Sequence, residues 1–200
     1  MKDAVARWPV EGSAEVFRNR LIAVRNDKVR MPGGNVAERT VVEHPGAVGI
    51  LALDDADRIL MIRQYRHPVQ RLLWEIPAGL RDVPGENPWL AAERELAEEA
   101  SYRAREWHVL ADYFSSPGFS TERIRIFLAR GLEEIPEQER TFVRKDEEAQ
   151  LVRAWLPMHE AVRQVLAGEL HNGVAAMGIL AVYASEGDFA SLRPAEAPEA

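Results

Sequence analysis

Pro88-Trp89-Leu90-Ala91-Ala92-Glu93-Arg94-Glu95-Leu96-Ala97-Glu98-Glu99-Ala100 is the stretch on which the reading of this chain turns. Leu90, Ala91, Leu96 and Ala97 form an apolar stripe at helical spacing, and Pro88 suits a first helical turn. A helix is therefore expected from Pro88 to about Ala100. On it Glu95, Glu98 and Glu99 stand at i, i+3 and i+4 and share one face. Three like charges there repel, at about 0.2–0.5 kcal/mol per pair. A divalent cation would offset that cost, because Mg²⁺ takes oxygen ligands and keeps positions open for phosphate oxygens. Arg94 follows Glu86 by eight residues and can reach back to pair with it, pinning the intervening loop against the helix. The competing reading is a solvated acidic face, as most Glu-rich helical stretches are. The helix alone leaves the two evenly matched.

Working outward, the residues before the helix read as strands. Val16 to Val24 and Lys28 to Met31 suggest a hairpin turning at Asn26-Asp27, and a third strand is expected over about Glu38 to Glu43. Ala47 to Leu53 and Ile59 to Tyr65 follow, joined by Asp54-Asp55-Ala56-Asp57, and Leu72 to Ile76 runs into Pro77-Ala78-Gly79. A loop rich in turn formers, Asp82 to Asn87, leads to the helix. Beyond it, Trp107 to Phe114, Ile124 to Ala129 and Leu151 to Leu156 read as strands, with helices at Met158 to Ala167 and about Val174 to Ser185. A long acidic stretch, Glu133 to Gln150, separates two of these strands. Strands interleaved with three helices give an α/β or α+β sandwich.

Composition narrows the function. The 200 residues contain no cysteine, which excludes disulfides, thiolate metal sites and a cysteine nucleophile. A net charge of −7 argues against nucleic acid as a partner, since backbone binding needs a concentrated basic face. No apolar run approaches a membrane span, and Met1 to Trp8 lacks a secretory pattern, so a cytoplasmic protein without a membrane partner is expected. The Pro/Ala/Glu-rich residues 193–200 read as a disordered tail.

Glu86, Arg94, Glu95, Glu98 and Glu99 together resemble the Nudix box: Gly, five residues, Glu, seven residues, then Arg-Glu-aliphatic-any-Glu-Glu-any-Gly-aliphatic. Two positions depart from it. Six residues separate Gly79 from Glu86, and Ser101 stands where the box has its last Gly. An extra loop residue is tolerated cheaply. A non-Gly residue in a left-handed helix cap costs on the order of 1 kcal/mol.

Outside the box, residues 15 to 185 resemble bacterial ADP-ribose pyrophosphatases. The likeness rests on Glu75-Ile76-Pro77-Ala78-Gly79, on Arg63-Gln64-Tyr65-Arg66, and on Ser116-Pro117-Gly118-Phe119-Ser120-Thr121-Glu122, whose Pro117 lies fifteen residues past Tyr102. The longer loop at Leu80 to Gly85 is similar to that of actinobacterial members. The resemblance implies a Nudix fold, a mixed β-sheet between helices, over 45–192. It also implies an N-terminal β extension at 1–44 that joins an intertwined homodimer.

The same resemblance implies roles. Mg²⁺, with Mn²⁺ as the alternative, would be held by the Ala78 carbonyl and by Glu95 and Glu99, with Glu98 as a further ligand or supporting group. Arg66 would contact the diphosphate and Arg39 would reach it from the other subunit. Many members carry Glu after that arginine, and Thr40 stands there, so its contact departs from the pattern. Leu80, Gly118 and Glu122 would line the ribose and phosphate region. Hydrolysis needs a carboxylate to take the water's proton, and the family draws it from a mobile loop, matched here by Asp146-Glu147-Glu148. Either Glu147 or Glu148 fits. The implied reaction is ADP-ribose plus water giving AMP and ribose 5-phosphate. The rivals are hydrolysis of another nucleoside diphosphate sugar or dinucleotide, and an ADP-ribose-sensing module without hydrolysis. Isomerases on the same scaffold rely on a cysteine that this chain lacks.

Overall fold

Ala47 to Ala52 is apolar at every position, the pattern of a strand covered on both faces. In the computed structural model, which describes residues 1–140 and 151–199, this strand is the parallel partner of a later one and lies inside a five-stranded mixed sheet. The strands are β1 Val10–Arg18, β2 Ala23–Arg30, β3 Val36–Glu43, β4 Ala47–Ala52, β5 Arg58–Arg66, β6 Arg71–Glu75, β7 Ala78–Leu80, β8 Tyr102–Phe114, β9 Arg123–Glu134, β10 Val152–Pro157 and β11 Arg193–Pro194. The helices are α1 Pro88–Glu95, α2 Met158–Leu166 and α3 Gly173–Ala184. The central sheet runs β11-β8-β9-β4-β7, a second runs β10-β5-β6, and a third β1-β2-β3.

Two compact units result, Met1–Gly46 with Phe114–Arg123, and Ala47–Tyr113 with Ile124–Ala200. In the second, strand alternation divides the core. Val48, Ile50, Ala52, Phe127 and Ala129 meet Ala91, Ala92 and Leu96 of the helix that carries the carboxylates. Leu51, Leu53, Ile126 and Leu128 meet Ala161 of α2 and Ala175, Ile179 and Val182 of α3. The mixed sheet thus lies between helices, as the resemblance implied. Fully burying one side chain such as Leu96 or Ile50 is worth about 1.5–3 kcal/mol, so the first of these layers fixes where α1 sits. At Gly49 a Cβ would lie 2.6 Å from Val174 Cγ1, which makes the glycine a condition of α3's approach.

In the first unit the hairpin turns elsewhere than the sequence suggested. Its turn lies between β1 and β2, where Asn19 Oδ1 accepts from the amides of Leu21 and Ile22, both at 2.8 Å. Asn26 and Asp27 are in mid-strand, opposite Thr40 and Arg39. Asp27 is buried there because Ser13 Oγ and Arg25 Nε donate to it at 2.6 and 3.0 Å. The loop 115–122 docks on β3, with Val42 donating to Phe119 O and accepting from Thr121 N.

The end of the chain also differs from its compositional reading. Residues 193–199 are not a free tail: Arg193 and Pro194 pair with Val109 and His108 of β8, and Ala195 is buried in the core. The cause is Arg125, a buried guanidinium that takes backbone carbonyls of Ala197 and Pro198 as acceptors. Low apolar content misled because polar, non-local bonds hold the segment.

Candidate active site

The helix that carries the carboxylates begins as expected, with Asn87 capping Trp89 N and Pro88 in the first turn. It does not continue as a regular α-helix. From Leu96 to Ala100 it widens into a π-helical turn, a feature frequent at functional sites. Ser101 ends it in the left-handed region at φ 60°, ψ 39°, the conformation its box position requires, with its amide on Ala97 O at 2.9 Å. The strain is held by neighbours: Ser101 is fully buried, its carbonyl accepts from Ile135 N at 2.8 Å, and Arg153 Nη1 donates to Ala100 O.

Within this turn the adjacent glutamates diverge. Glu99 is only 4% exposed, and its Oε2 accepts the amide of Ala78 at 2.8 Å. The Glu98 side chain is 41% exposed. Glu95 lies against the next residue of the same backbone segment: a Cβ at Gly79 would overlap the Cγ, Cδ and Oε1 of Glu95. Ala78 and Gly79, to which no element was assigned from sequence, form the short strand β7, with Gly49 and Val48 of β4 as partners. Two helix carboxylates and the Ala78–Gly79 backbone are thereby brought to one place. Leu80 closes the same strand.

Arg94 takes up much of the repulsion that the sequence assigned to a cation. Its Nη1 lies 2.5 Å from Glu95 Oε1 and 3.5 Å from Glu98 Oε2, and Nη2 lies 3.4 Å from Glu86 Oε2. Burial alone would lower its pKa, but Glu95 and Glu86 outweigh burial and raise it. The pairing of Arg94 with Glu86 is the one expected from their spacing. With Glu95 turned to Arg94 and Glu99 to an amide, no three acidic or histidine side chains converge as a metal cluster among the described residues. The donor chemistry nevertheless suits a hard divalent ion: three carboxylates on successive turns and a carbonyl in the backbone segment two of them touch.

Arg66 stands at the end of β5, held in a bidentate pair by Glu75, at 2.9 Å through Nε and 2.6 Å through Nη2. Glu75 is 2% exposed and also receives Gln64 Nε2 at 3.4 Å. Sequence reasoning assigned no role to Glu75. Its signal was present, an acidic residue closing the apolar run Leu72-Leu73-Trp74, and the antiparallel β5–β6 pairing explains it.

The remaining expected residues belong to the first unit. Arg39 and Thr40 are exposed on β3, donating to Glu38 O and Asn26 Oδ1, each at 2.8 Å. Gly118 and Glu122 lie on the loop that docks on that strand. Glu122 Oε1 lies 3.6 Å from His44 Nδ1, and the carboxylate accepts from Ser115 Oγ. Glu147 and Glu148 lie outside the described residues.

A family model for the Nudix domain matches residues 43–176. The chain belongs to the Nudix hydrolase family. A second model, for the nucleoside diphosphate sugar hydrolase N-terminal domain, matches residues 8–42. An ADP-ribose pyrophosphatase of Mycobacterium tuberculosis is 49% identical over 91% of this chain and 86% of that protein. One of Bacillus subtilis is 33% identical over 82% of this chain and 86% of its own length. A CMP-5'-(N-acetyl-N-hydroxy-3-aminopropyl)phosphonate hydrolase of Streptomyces rubellomurinus is 34% identical over 88% and 82%. The Nudix fold recurs in a crystal structure of an ADP compounds hydrolase, with TM-score 0.77 at 21% identity over 94% of this chain and 99% of that one. Nudix hydrolases generally use divalent metal ions, and the carboxylates of α1 and its π-helical extension are the groups here that suit one. No described helix is long and apolar enough to cross a membrane.

Proposed function

We propose that this Nudix hydrolase cleaves ADP-ribose with water to AMP and ribose 5-phosphate, using Mg²⁺. The observation that carries the reading is the placement of Glu95 and Glu99 against the Ala78–Gly79 backbone. Glu95, Glu99 and the Ala78 carbonyl would hold the ion, with Glu98 beside them. The bound ion supplies charge neutralisation on the phosphate oxygens and favours ionisation of the attacking water. Arg66, oriented by Glu75, gives the diphosphate a fixed cationic partner. Glu147 or Glu148, with Glu98 as the helix alternative, takes the water's proton. Leu80 is proposed to line the ribose and phosphate region, a role that the resemblance also gives to Gly118 and Glu122.

Two relatives named as ADP-ribose pyrophosphatases, each aligned over most of its length, support the substrate. The phosphonate hydrolase favours a second reading, a cytidylyl substrate on the same scaffold. A panel of ADP-ribose, sugar nucleotides, NADH and a CMP-phosphonate, each with Mg²⁺ and with Mn²⁺, separates them by product identity. ADP-ribose is expected to lead in kcat/KM by about tenfold or more, the scale on which a pocket resolves related ligands. Faster release of CMP from the phosphonate would reassign the substrate.

The protein is further proposed to act as a homodimer, with Arg39 and the neighbouring Thr40 reaching the partner's site. Support comes from β1, an edge strand exposed along nearly its whole length and bearing exposed Val10, Val16 and Phe17. Exposed apolar edges of this kind are normally covered. Sizing chromatography should show a dimer, and Arg39→Ala should raise KM without dissociating it. A fully active monomer would refute the role of Arg39 across subunits.

A further inference from the structure

Arg125 sits in β9 with a side chain only 2% exposed, on the sheet face that packs against α1. A guanidinium buried this far needs acceptors for its five donors. Asp112 takes two, at 2.7 and 2.9 Å, and the C-terminal segment supplies two more through Ala197 O at 2.6 Å and Pro198 O at 3.2 Å. Arg193 returns to the same carboxylate, 2.7 Å from Asp112 Oδ2. Burial alone would push Asp112 up, but Arg125 and Arg193 outweigh it and hold the carboxyl below its ordinary range. Residues 193–199 are therefore tied to the sheet by an internal ionic cluster and by the burial of Ala195.

The segment reaches the start of the loop that follows β7. Glu199 Oε1 lies 2.7 Å from Arg81 Nη1 and 3.9 Å from Arg125 Nε. Arg81 directly follows β7, two residues after Gly79, and opens the loop whose other end is Glu86. That loop is thus held at both ends by arginine–carboxylate pairs, Arg81 to Glu199 at its start and Arg94 to Glu86 at its close. We infer that residues 193–199 form a strap that fixes the loop between β7 and α1, and that Arg81 and Glu199 are positioning residues for the Ala78–Gly79 segment. What the loop positions rests on the hydrolase reading above; the strap does not.

Hydrogen exchange on metal-free, substrate-free protein tests the strap directly. Glu199→Gln and Arg81→Gln should each raise exchange at residues 81–86 by about two- to fivefold, the scale of a partly exposed ion pair, and the double variant should equal either single. The half-saturating Mg²⁺ concentration for turnover should rise by a similar factor, while kcat at saturating Mg²⁺ and the melting temperature of the metal-free protein hold. Unchanged exchange in both singles, or additive effects in the double variant, would overturn the strap. Altered exchange in a protein that hydrolyses nothing on the panel would leave the strap standing and remove the function it serves. Altered exchange with an unchanged Mg²⁺ requirement would refute the positioning role.

Discussion

Replacing Glu99 by glutamine should lower turnover of the diphosphate substrate by on the order of 10³-fold while the protein still folds. Loss of a metal ligand removes several kcal/mol of transition-state charge stabilisation, and each 1.36 kcal/mol is a factor of ten. The fold should survive for a local reason. Glu99 contributes to the structure by accepting the Ala78 amide at 2.8 Å, and the glutamine carbonyl oxygen can accept the same bond. The substitution also removes one of three clustered negative charges, so a buried, nearly isosteric amide should change stability by no more than about 1 kcal/mol. Melting curves with and without Mg²⁺ separate the effects: the ligand-dependent rise expected for the parent protein should vanish in Glu99→Gln, with the metal-free midpoint nearly unchanged. Undiminished turnover would remove Glu99 from the metal site and with it the mechanism proposed here.

The same substitution at Glu98 would be a weaker test, and the structure explains the difference. In sequence the two glutamates are adjacent and equivalent, both on the face shared with Glu95. The π-helical turn separates them, burying Glu99 against Ala78 and leaving Glu98 half-exposed beside Arg94. Helical periodicity cannot show a widened turn, because the extra residue is a response to packing rather than to local propensity. What the spacing did show was the set of charges and the Arg94–Glu86 pair, since both depend on one helix and the loop just before it.

Legibility falls as the contacts become less local. The run Ala47 to Leu53 read as a strand and the apolar stripe over Pro88 to Ala100 as a helix face, so a sandwich of strands and helices could be expected from the residues, while the mixed sheet came from the resemblance. The role of Glu75 required the register of two strands, which places it to orient Arg66. The first hairpin was misplaced because Asn19, through its own side chain, nucleates the turn, while Asn26 and Asp27 lie in mid-strand. The C-terminal segment was misread because composition reports the lack of apolar side chains but not a buried Arg125 in need of carbonyl oxygens. Arg39, Thr40, Gly118 and Glu122 were assigned by resemblance, and the structure places all four in the unit formed by the N-terminal strands and the loop 114–123.

Gly79→Ala should disable the site with little cost to the fold, and it tests the geometry more sharply than loss of a charge. Gly79 does not have a positive φ, so alanine is conformationally acceptable there. In the unfolded chain alanine is less free than glycine, which favours folding by about 0.4–1 kcal/mol where the native backbone permits it. What the methyl group meets is the end of the Glu95 side chain, at Cγ, Cδ and Oε1. That side chain is flexible and can swing away, so the conflict is relieved by moving a proposed metal ligand rather than by breaking β7. A misplacement of about 1 Å at a reacting site can cost 10²-fold, and a ligand driven from its position should cost at least that in kcat/KM. Glu95→Gln should produce a loss of the same order, and the double variant should be little worse than either single, because both act through one carboxylate. An active Gly79→Ala enzyme would mean that Glu95 works from a different rotamer, and the Ala78–Gly79 segment would no longer define where the ion is held.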